Sequence, residues 1–251
     1  MAGVELKPGE RIDDLIRQDL KIIQNPASFC FSMDAVLLAH FATVKKDDRV
    51  VDLGTGSGVI PLLLTTRQKE LQVTGLEIQK EAAERAVRSV RLNGLQEKIA
   101  IIPGDLKQAK ELLPVGQFDL VTCNPPYISP GHGLLNELDS MSIARHEIKC
   151  TLEDVIRAGS QLLAFKGRMA VVHKPHRLVD IMCLMRKYNL EPKRLRLVYP
   201  RPGRKPNMVL VEGLLGGRVE LEVLDPLVIY GADGEYTPEL LGIYYRPSDC
   251  F

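Results

Sequence analysis

A rigid polar corner, Asn-Pro-Pro-Tyr, follows an apolar run at residues 124–127. Proline fixes its own φ and disfavours helical backbone in the preceding residue, so Asn124 and Pro125 are expected to be extended and stiff. The Asn124 side-chain oxygen and the Pro125 carbonyl then match the two hydrogens of an amino group on a nucleobase or an amide. Holding both hydrogens aims the nitrogen lone pair at an electrophile, and Tyr127 suits stacking on a base. We predict a catalytic corner of Asn124, Pro125, Pro126 and Tyr127; the alternative is a turn that only ends a strand.

A second candidate site is the glycine turn in the sequence VVDLGTGSG, residues 50–58. Glycines at this place let the backbone turn tightly and bring a ligand to a helix N-terminus. The spacing G-x-G-x-G differs from the dinucleotide fingerprint G-x-G-x-x-G, and an acid precedes it. A carboxylate there suits a positively charged ligand, and S-adenosylmethionine carries a sulfonium and an ammonium group. The predicted contacts of this turn are Asp52, Gly54, Thr55, Gly56 and Gly58.

Two more acids end the next two predicted strands. Glu77 lies about twenty residues beyond the glycine turn, where an acid commonly accepts the hydroxyls of a ribose. Asp105 ends the third strand at the same sheet edge, where it can accept from an adenine amino group. We therefore predict a nucleoside site that also includes Ile78 and Leu106. Taken singly, the three acids have ordinary alternatives: Asp52 as a turn former, Glu77 as a solvated charge and Asp105 as a helix cap.

The segment FCFSMDAVLLAHF, residues 29–41, predicts a helix capped by Ser32, with Asp34 in its first turn. A helix N-terminus directed at the cofactor can hold a carboxylate. Phe31, Ser32 and Asp34 are therefore further predicted cofactor contacts. The alternative is a helix that only packs on the sheet.

Short apolar runs alternate with helical patterns from Arg49 to Leu214, which predicts a doubly wound α/β fold around a mostly parallel sheet of seven strands. We expect a core at 49–215, an N-terminal extension at 1–48 with the helix above, and a C-terminal appendage at 216–251. A long loop is expected from 128 to about 141.

Eight basic residues and one acid, Glu191, lie between Arg186 and Lys205. Strand alternation in RLRLVY sends Arg194 and Arg196 to one face. Such a stripe suits an RNA backbone, although a solvated edge that discourages strand addition is an alternative. The predicted RNA contacts are Arg194, Arg196, Arg201, Arg204 and Lys205.

Composition excludes several classes of protein. The chain has 251 residues and a formal net charge of +1. No apolar run approaches the ~20 residues that cross a bilayer, and no secretion signal begins the sequence, so we expect a cytoplasmic protein without membrane contact. Five separated cysteines predict neither disulfides nor zinc, and the histidines do not have metal-ligand spacing; we predict no metal. No obligate protein partner is evident.

The glycine turn, the three acids and NPPY resemble class I S-adenosylmethionine-dependent methyltransferases over residues 49–214. Further blocks, among them ERIDDL, LKIIQ, FSMDAVLLA, RSVRLNGL, ARHE and PLVIY, resemble the bacterial tRNA1(Val) (adenine(37)-N6)-methyltransferase family from near Gly9 to about Tyr245. The resemblance implies a Rossmann-like seven-stranded class I sheet, S-adenosyl-L-methionine as methyl donor with S-adenosyl-L-homocysteine as product, and tRNA as partner. It also implies that the corner at 124–127 holds adenine 37, beside the anticodon, while the acids hold the cofactor.

Two alternatives stay open. NPPY followed by Ile128 also resembles protein glutamine N5-methyltransferases, which normally have a longer helical N-terminal domain. A non-catalytic RNA-binding or cofactor-sensing module is the other; an intact NPPY corner argues against it, because a binder has no need of two fixed acceptors.

Overall fold

Buried apolar strands and the helices that cover them form the elements of a computed structural model, which describes residues 4–15, 18–27, 30–125 and 150–245. The strands are β1 (Arg11–Asp14), β2 (Lys21–Gln24), β3 (Arg49–Leu53), β4 (Gln72–Glu77), β5 (Ile99–Pro103), β6 (Phe118–Cys123), β7 (Leu163–His173), β8 (Leu190–Tyr199), β9 (Met208–Leu215), β10 (Glu222–Val223) and β11 (Leu227–Val228). The helices are α1 (Met33–Phe41), α2 (Val59–Thr65), α3 (Lys80–Leu92), α4 (Ala109–Leu112), α5 (Leu152–Leu162), α6 (Leu178–Lys187) and α7 (Pro238–Tyr245). None of these helices is long and apolar enough to cross a membrane.

The main sheet has the order β10-β8-β9-β7-β6-β3-β4-β5, with β11 also paired to β8. Strands β3 to β7 pair with one another in parallel, whereas β9 is antiparallel to both β7 and β8. The seven predicted strands are confirmed. The sheet also includes β10 and β11, two-residue strands of the C-terminal segment that pair in parallel with β8.

Strand β3 shows why the strands of this sheet have continuous apolar sequences. Its residues Val50, Val51 and Leu53 are fully buried, because helices cover both faces of the sheet. Helix α3 has the predicted amphipathic pattern, with Ala83, Ala86 and Val90 buried. It ends at Asn93 as C-cap, followed by Gly94 at φ 66°. This left-handed residue after a helix is the usual stop signal.

The N-terminal extension is fixed to helix α3 by a buried ion cluster. The guanidinium of Arg88 donates to both carboxylate oxygens of Glu10, each at 2.6 Å, and Arg85 Nε donates at 3.3 Å. The Glu10 side chain is only 3% exposed. These hydrogen bonds lower the pKa of Glu10 from its ordinary 4.5 to about 2, with the Arg88 contact as the largest cause.

We expect Glu10→Gln to lower the free energy of unfolding by about 3 kcal/mol, because it removes the buried negative charge that both guanidinium groups share. Glu84→Gln is the matched control. Glu84 also pairs with Arg88 but its side chain is 43% exposed, so less than about 1 kcal/mol is expected. Because the folded-state pKa is depressed, this stabilisation is present above pH 4.5 and is lost as the pH falls through about 2. Urea unfolding at pH 7 measures both variants; equal losses would contradict the cluster's role.

Candidate functional site

The two predicted sites meet at one edge of the sheet. Strands β3 and β6 are paired in parallel with Leu53 opposite Cys123, so Asn124 follows at the level of Gly54. Neighbouring strands are about 4.8 Å apart. Asn124 is half-buried and Pro125 is buried. Pro126, Tyr127, the loop predicted at 128–141 and the ARHE block at 144–147 lie outside the described residues.

The glycine turn has the backbone that its sequence predicts. Gly54, Gly56 and Gly58 have φ values of 72°, 58° and 86°, in the left-handed region that favours glycine. The amides of Gly54 and Thr55 both donate to the Leu76 carbonyl at the end of β4, at 2.8 and 3.1 Å. Among the described residues, a Cβ atom at Gly54 or Gly56 would meet nothing within 4 Å, which leaves space in front of the turn for a ligand.

Asp52 lies beneath this turn as a fully buried carboxyl group. Its Oδ1 accepts a hydrogen bond from the Thr122 hydroxyl on β6 at 2.7 Å. Within the described part of the chain, Asp52 Oδ2 and Thr55 Oγ1 are buried without a hydrogen-bond partner. Burial raises the pKa of Asp52 from 3.8 to about 7; the hydroxyl groups of Thr122 and Thr55 oppose this shift, and the negative charge of Glu77 adds to it.

A buried carboxyl oxygen without a partner is costly unless a positive charge compensates it. The buried carboxyl group of Asp52 is therefore compatible with a cationic ligand over the glycine turn, and its contact with the cofactor stays a prediction. No sequence pattern indicated a role for Thr122. Its role depends on a cross-strand pairing with Asp52, which the register provides.

Glu77 is 4% exposed, so the alternative of a solvated charge is wrong. Its Oε2 accepts from the Gly56 amide at 2.8 Å and its Oε1 from the Gln79 amide at 2.9 Å. Glu77 thus braces the glycine turn, a role that sequence reasoning did not find. Each carboxylate oxygen has two acceptor positions, so both oxygens can also accept from a ligand hydroxyl.

Asp105 is half-buried and caps the short 3-10 helix Leu106–Gln108, with Oδ1 accepting from the Lys107 amide at 2.9 Å. The helix-cap alternative is confirmed as one function of this residue. The register of Glu77 opposite Pro103 places Asp105 at the same edge as the other two acids. Ile78 is 40% exposed and Leu106 is half-buried at this edge.

The segment before α1 is joined to the glycine turn by Gln24, a residue that the sequence did not single out. Its side chain is buried, donates to Ser57 Oγ at 2.7 Å and accepts from the Phe31 amide at 3.0 Å. Ser32 is the N-cap of α1 as predicted, but its side chain makes no capping hydrogen bond. Asp34 is half-buried in the first turn.

The predicted basic stripe divides into two parts. Arg194 and Arg196 share one face of β8, but α1 and the C-terminal segment cover that face. Arg194 Nη1 donates to Thr43 Oγ1 at 2.7 Å and to the Phe41 carbonyl at 3.1 Å. Arg196 Nε donates to the Asp225 carbonyl at 2.8 Å, and its guanidinium forms an ion pair with Glu239. Both arginines are committed to contacts inside the fold.

The other three predicted RNA contacts, Arg201, Arg204 and Lys205, are exposed in the connection between β8 and β9. Strand β8 is antiparallel to β9, which is antiparallel to β7, so β8 runs in the same direction as β7. The connection after Tyr199 therefore lies at the same sheet edge as the NPPY corner. We define residues 200–207 as the basic loop.

His173 ends β7 at this edge and is 2% exposed. Its Nδ1 accepts from the Lys174 amide at 2.8 Å. Burial, and then the nearby charges of Arg177, His176 and Lys174, lower the pKa of His173 from 6.5 to about 4. The folded protein therefore holds this imidazole neutral at pH 7.

Acid is expected to destabilise the protein through His173. Its folded-state pKa lies below the unfolded value, so stability falls as the pH drops from 6.5 to about 4, by up to about 3 kcal/mol. His173→Gln should remove this part of the pH dependence, whereas His176→Gln, at an exposed position, should keep it. Urea unfolding between pH 4 and 7 measures the slopes; an unchanged slope in His173→Gln would refute the assignment.

Comparisons with known proteins agree with this architecture. Residues 20–187 match the family model of the methyltransferase small domain. The tRNA1(Val) (adenine(37)-N6)-methyltransferase of Porphyromonas gingivalis is 32% identical over 206 residues, which cover 80% of this chain and 78% of the relative. The protein of the same name from Aeromonas hydrophila is 29% identical, over 81% of this chain and 84% of the relative.

Solved structures share the fold. A predicted O-methyltransferase, Atu636 from Agrobacterium tumefaciens, superposes with a TM-score of 0.70 at 24% identity, over 87% of this chain and 98% of that one. Geranyl diphosphate C-methyltransferase from Streptomyces coelicolor, in complex with S-adenosyl-L-homocysteine, gives a TM-score of 0.54 at 14% identity, over 73% and 77% of the two chains. These likenesses confirm the Rossmann-like sheet predicted from the sequence.

Proposed function

This chain belongs to the methyltransferase small domain family and to the tRNA1(Val) (adenine(37)-N6)-methyltransferase family, and we propose that it methylates N6 of adenine 37 in a tRNA with S-adenosylmethionine as donor. One observation carries the proposal: parallel pairing of β3 and β6 sets Asn124 beside Gly54. An acceptor for amino hydrogens and a nucleoside-type turn are thus neighbours on one sheet.

When bound, S-adenosylmethionine supplies an electrophilic methyl group on a sulfonium. The glycine turn of Gly54, Gly56 and Gly58 gives the backbone surface against which the cofactor lies. Asp52 supplies the buried negative charge under it, Glu77 accepts from the ribose, and Asp105 accepts from the adenine amino group. Further proposed cofactor contacts are Phe31, Ser32, Asp34, Thr55, Ile78 and Leu106.

The target amino group is held by Asn124 and Pro125. Two acceptors on its hydrogens favour a pyramidal nitrogen and direct the lone pair toward the methyl group. The transfer needs no prior deprotonation, so the site needs no base with a pKa near 7. Pro126 stiffens the corner, and Tyr127 stacks on a base that is turned out of the RNA loop.

The three parts of the chain have separate roles in this proposal. Residues 1–48 close the cofactor site, residues 49–215 form the catalytic core, and residues 216–251 cover the edge of the sheet at β8. We also propose that the protein acts in the cytoplasm, without a metal or an obligate protein partner.

The basic loop is the proposed contact for the tRNA backbone. Replacing Arg204 and Lys205 by alanine together should weaken tRNA binding and reduce the slope of log K against log salt by about two. Arg194→Ala should instead lower the melting temperature, because Arg194 has the internal partners described above. Filter binding at several salt concentrations measures the first effect and thermal unfolding the second; an unchanged slope would remove the loop from the interface.

Transfer of labelled methyl to purified tRNA, followed by mass spectrometry of the nucleosides, tests the function. We expect N6-methyladenosine at position 37. Methyl transfer to a release factor but to no RNA would favour the protein glutamine alternative. Binding of S-adenosylmethionine without transfer to either substrate would favour the non-catalytic module.

A further inference from the structure

The C-terminal segment reaches the catalytic edge of the sheet. Leu227 and Val228 of β11 pair in parallel with the last residues of β8, and the amide of Tyr230 then donates to the Pro200 carbonyl at 3.1 Å. Because β8 ends at the same edge as β6 and β7, Tyr230 lies on the side of the molecule where the NPPY corner begins.

Two tyrosines form a stacked pair there. The rings of Tyr230 and Tyr236 have centroids 5.0 Å apart and planes inclined by 25°. The two residues form a β-bridge, and the Gly231 amide donates to the Glu235 carbonyl at 2.8 Å. Tyr230 packs against the hydrophobic core, whereas Tyr236 is 42% exposed. The inner ring therefore anchors the outer ring, which faces solvent.

The basic loop supplies a cation to this pair. The guanidinium of Arg201 lies 5.7 Å from the centroid of the Tyr230 ring, within the range of a cation–π interaction. Arg204 and Lys205 are exposed in the same loop. The turn between the tyrosines also contains Asp233 and Glu235, so the surrounding charge is mixed and the aromatic surface is the distinctive feature.

Sites for single-stranded nucleic acid combine exposed aromatic rings with neighbouring cations, because every base has a face that can stack. An enzyme that turns a base out of its stack also leaves the neighbouring base uncovered. An aromatic ring at the same edge of the sheet as the catalytic corner can stack on this uncovered base.

We propose that the tyrosine hairpin, defined as Tyr230, Tyr236 and Arg201, is a base-stacking site for an unpaired RNA nucleotide next to the methylated adenine. The proposal rests on the proposed function. Its new RNA contacts are Tyr230 and Tyr236, which belong to neither the basic stripe nor the NPPY corner, whereas Arg201 joins them from the basic loop. The ligand is a nucleobase of single-stranded RNA. The site binds it by stacking on the face of the base and has no preference for the groups at the edge of the base.

The stacking proposal is tested with an anticodon stem-loop RNA as substrate and three variants, Tyr236→Ala, Tyr236→Phe and Phe165→Ala. Phe165 is 76% exposed at the start of β7, the opposite edge of the sheet, and is the matched control. We expect Tyr236→Ala to raise KM for the RNA about 10-fold or more, because one base–aromatic stack is lost. The kcat and the Kd for S-adenosylmethionine should be nearly unchanged. Tyr236→Phe and Phe165→Ala should behave like the unaltered protein. A KM within twofold for Tyr236→Ala would overturn the proposal.

A second measurement needs no variant. The fluorescent base 2-aminopurine is placed in turn at each position flanking the target adenine, and quenching on binding to the unaltered protein reports stacking. We expect quenching at one flanking position, and quenching at none would overturn the proposal. If the unaltered protein transfers no methyl group to any RNA, the proposed function itself fails; normal transfer with an unaffected Tyr236→Ala refutes the stacking site alone.

Discussion

Asn124→Ala is expected to lower kcat for methyl transfer to tRNA by about 100- to 1,000-fold, while the Kd for S-adenosylmethionine changes less than about threefold. In the proposed site, the amide oxygen is one of two acceptors that orient the amino nitrogen, and that orientation matters only while the methyl group moves. Asn124 lies beside Gly54 but is not part of the glycine turn, so we expect the substitution to keep the hydrogen bonds from the Gly54 and Thr55 amides to the Leu76 carbonyl. Single-turnover kinetics and calorimetric titration of the cofactor measure the two quantities.

Asn207→Ala is the matched control for this prediction. Asn207 is exposed in the connection between β8 and β9, at the same edge of the sheet. Its substitution removes an amide of the same size from the same side of the molecule. Because Asn207 lies in the basic loop, the comparison uses kcat at saturating tRNA, which should stay nearly unchanged. Full activity in Asn124→Ala would show that the amide does not hold the target nitrogen. Equal losses in both variants would indicate a general disturbance of the edge.

Asp52→Asn is expected to have opposite effects on cofactor affinity and on stability. The pKa of Asp52 in the free protein is raised from 3.8 to about 7, so the folded state loses stability as the pH rises from 3.8 to about 7, and the loss is complete above that range. Asparagine avoids this cost, and the free variant should be more stable than the parent at pH 8, by up to about 4 kcal/mol. Its affinity for S-adenosylmethionine should fall by about 10-fold or more at pH 7, because the buried negative charge is gone.

The same carboxyl group gives cofactor binding a pH dependence. Below pH 7, the parent's affinity for S-adenosylmethionine should fall by about an order of magnitude between pH 7 and 5.5, since Asp52 must first lose its proton. Asp52→Asn should show no such fall. Thr122→Val removes a hydrogen bond that lowers the pKa of Asp52. In this variant, the midpoint of the curve of cofactor affinity against pH should lie at higher pH than in the parent. Calorimetric titration across this range measures all three, and parallel curves for parent and Asp52→Asn would contradict the assignment.

Features encoded within a short stretch of sequence could be predicted. The glycine turn requires left-handed backbone that glycine adopts readily, and Gly54, Gly56 and Gly58 have it. Apolar runs predicted the seven principal strands, because strands buried on both faces need continuous apolar side chains. The assignment of Asp52 and Glu77 to one edge followed from parallel strand ends.

What could not be predicted depends on contacts between distant segments. Gln24 meets Ser57 across 33 positions, and Arg194 meets Thr43 across 151. Alternation in β8 correctly placed Arg194 and Arg196 on one face, but it does not indicate which segment covers that face. The covering residues, among them Glu239, come from a C-terminal stretch whose position no local pattern specifies.

The pairing of Leu53 with Cys123 has an implication for how this scaffold can diversify. Main-chain hydrogen bonds between β3 and β6, rather than any side chain, set the spacing of the glycine turn and Asn124, which hold the methyl donor and acceptor in the proposed site. Peripheral segments can therefore be exchanged to accommodate a different substrate while the distance between methyl donor and acceptor stays constant. Main-chain pairing of the two strands does not depend on the side chains around it.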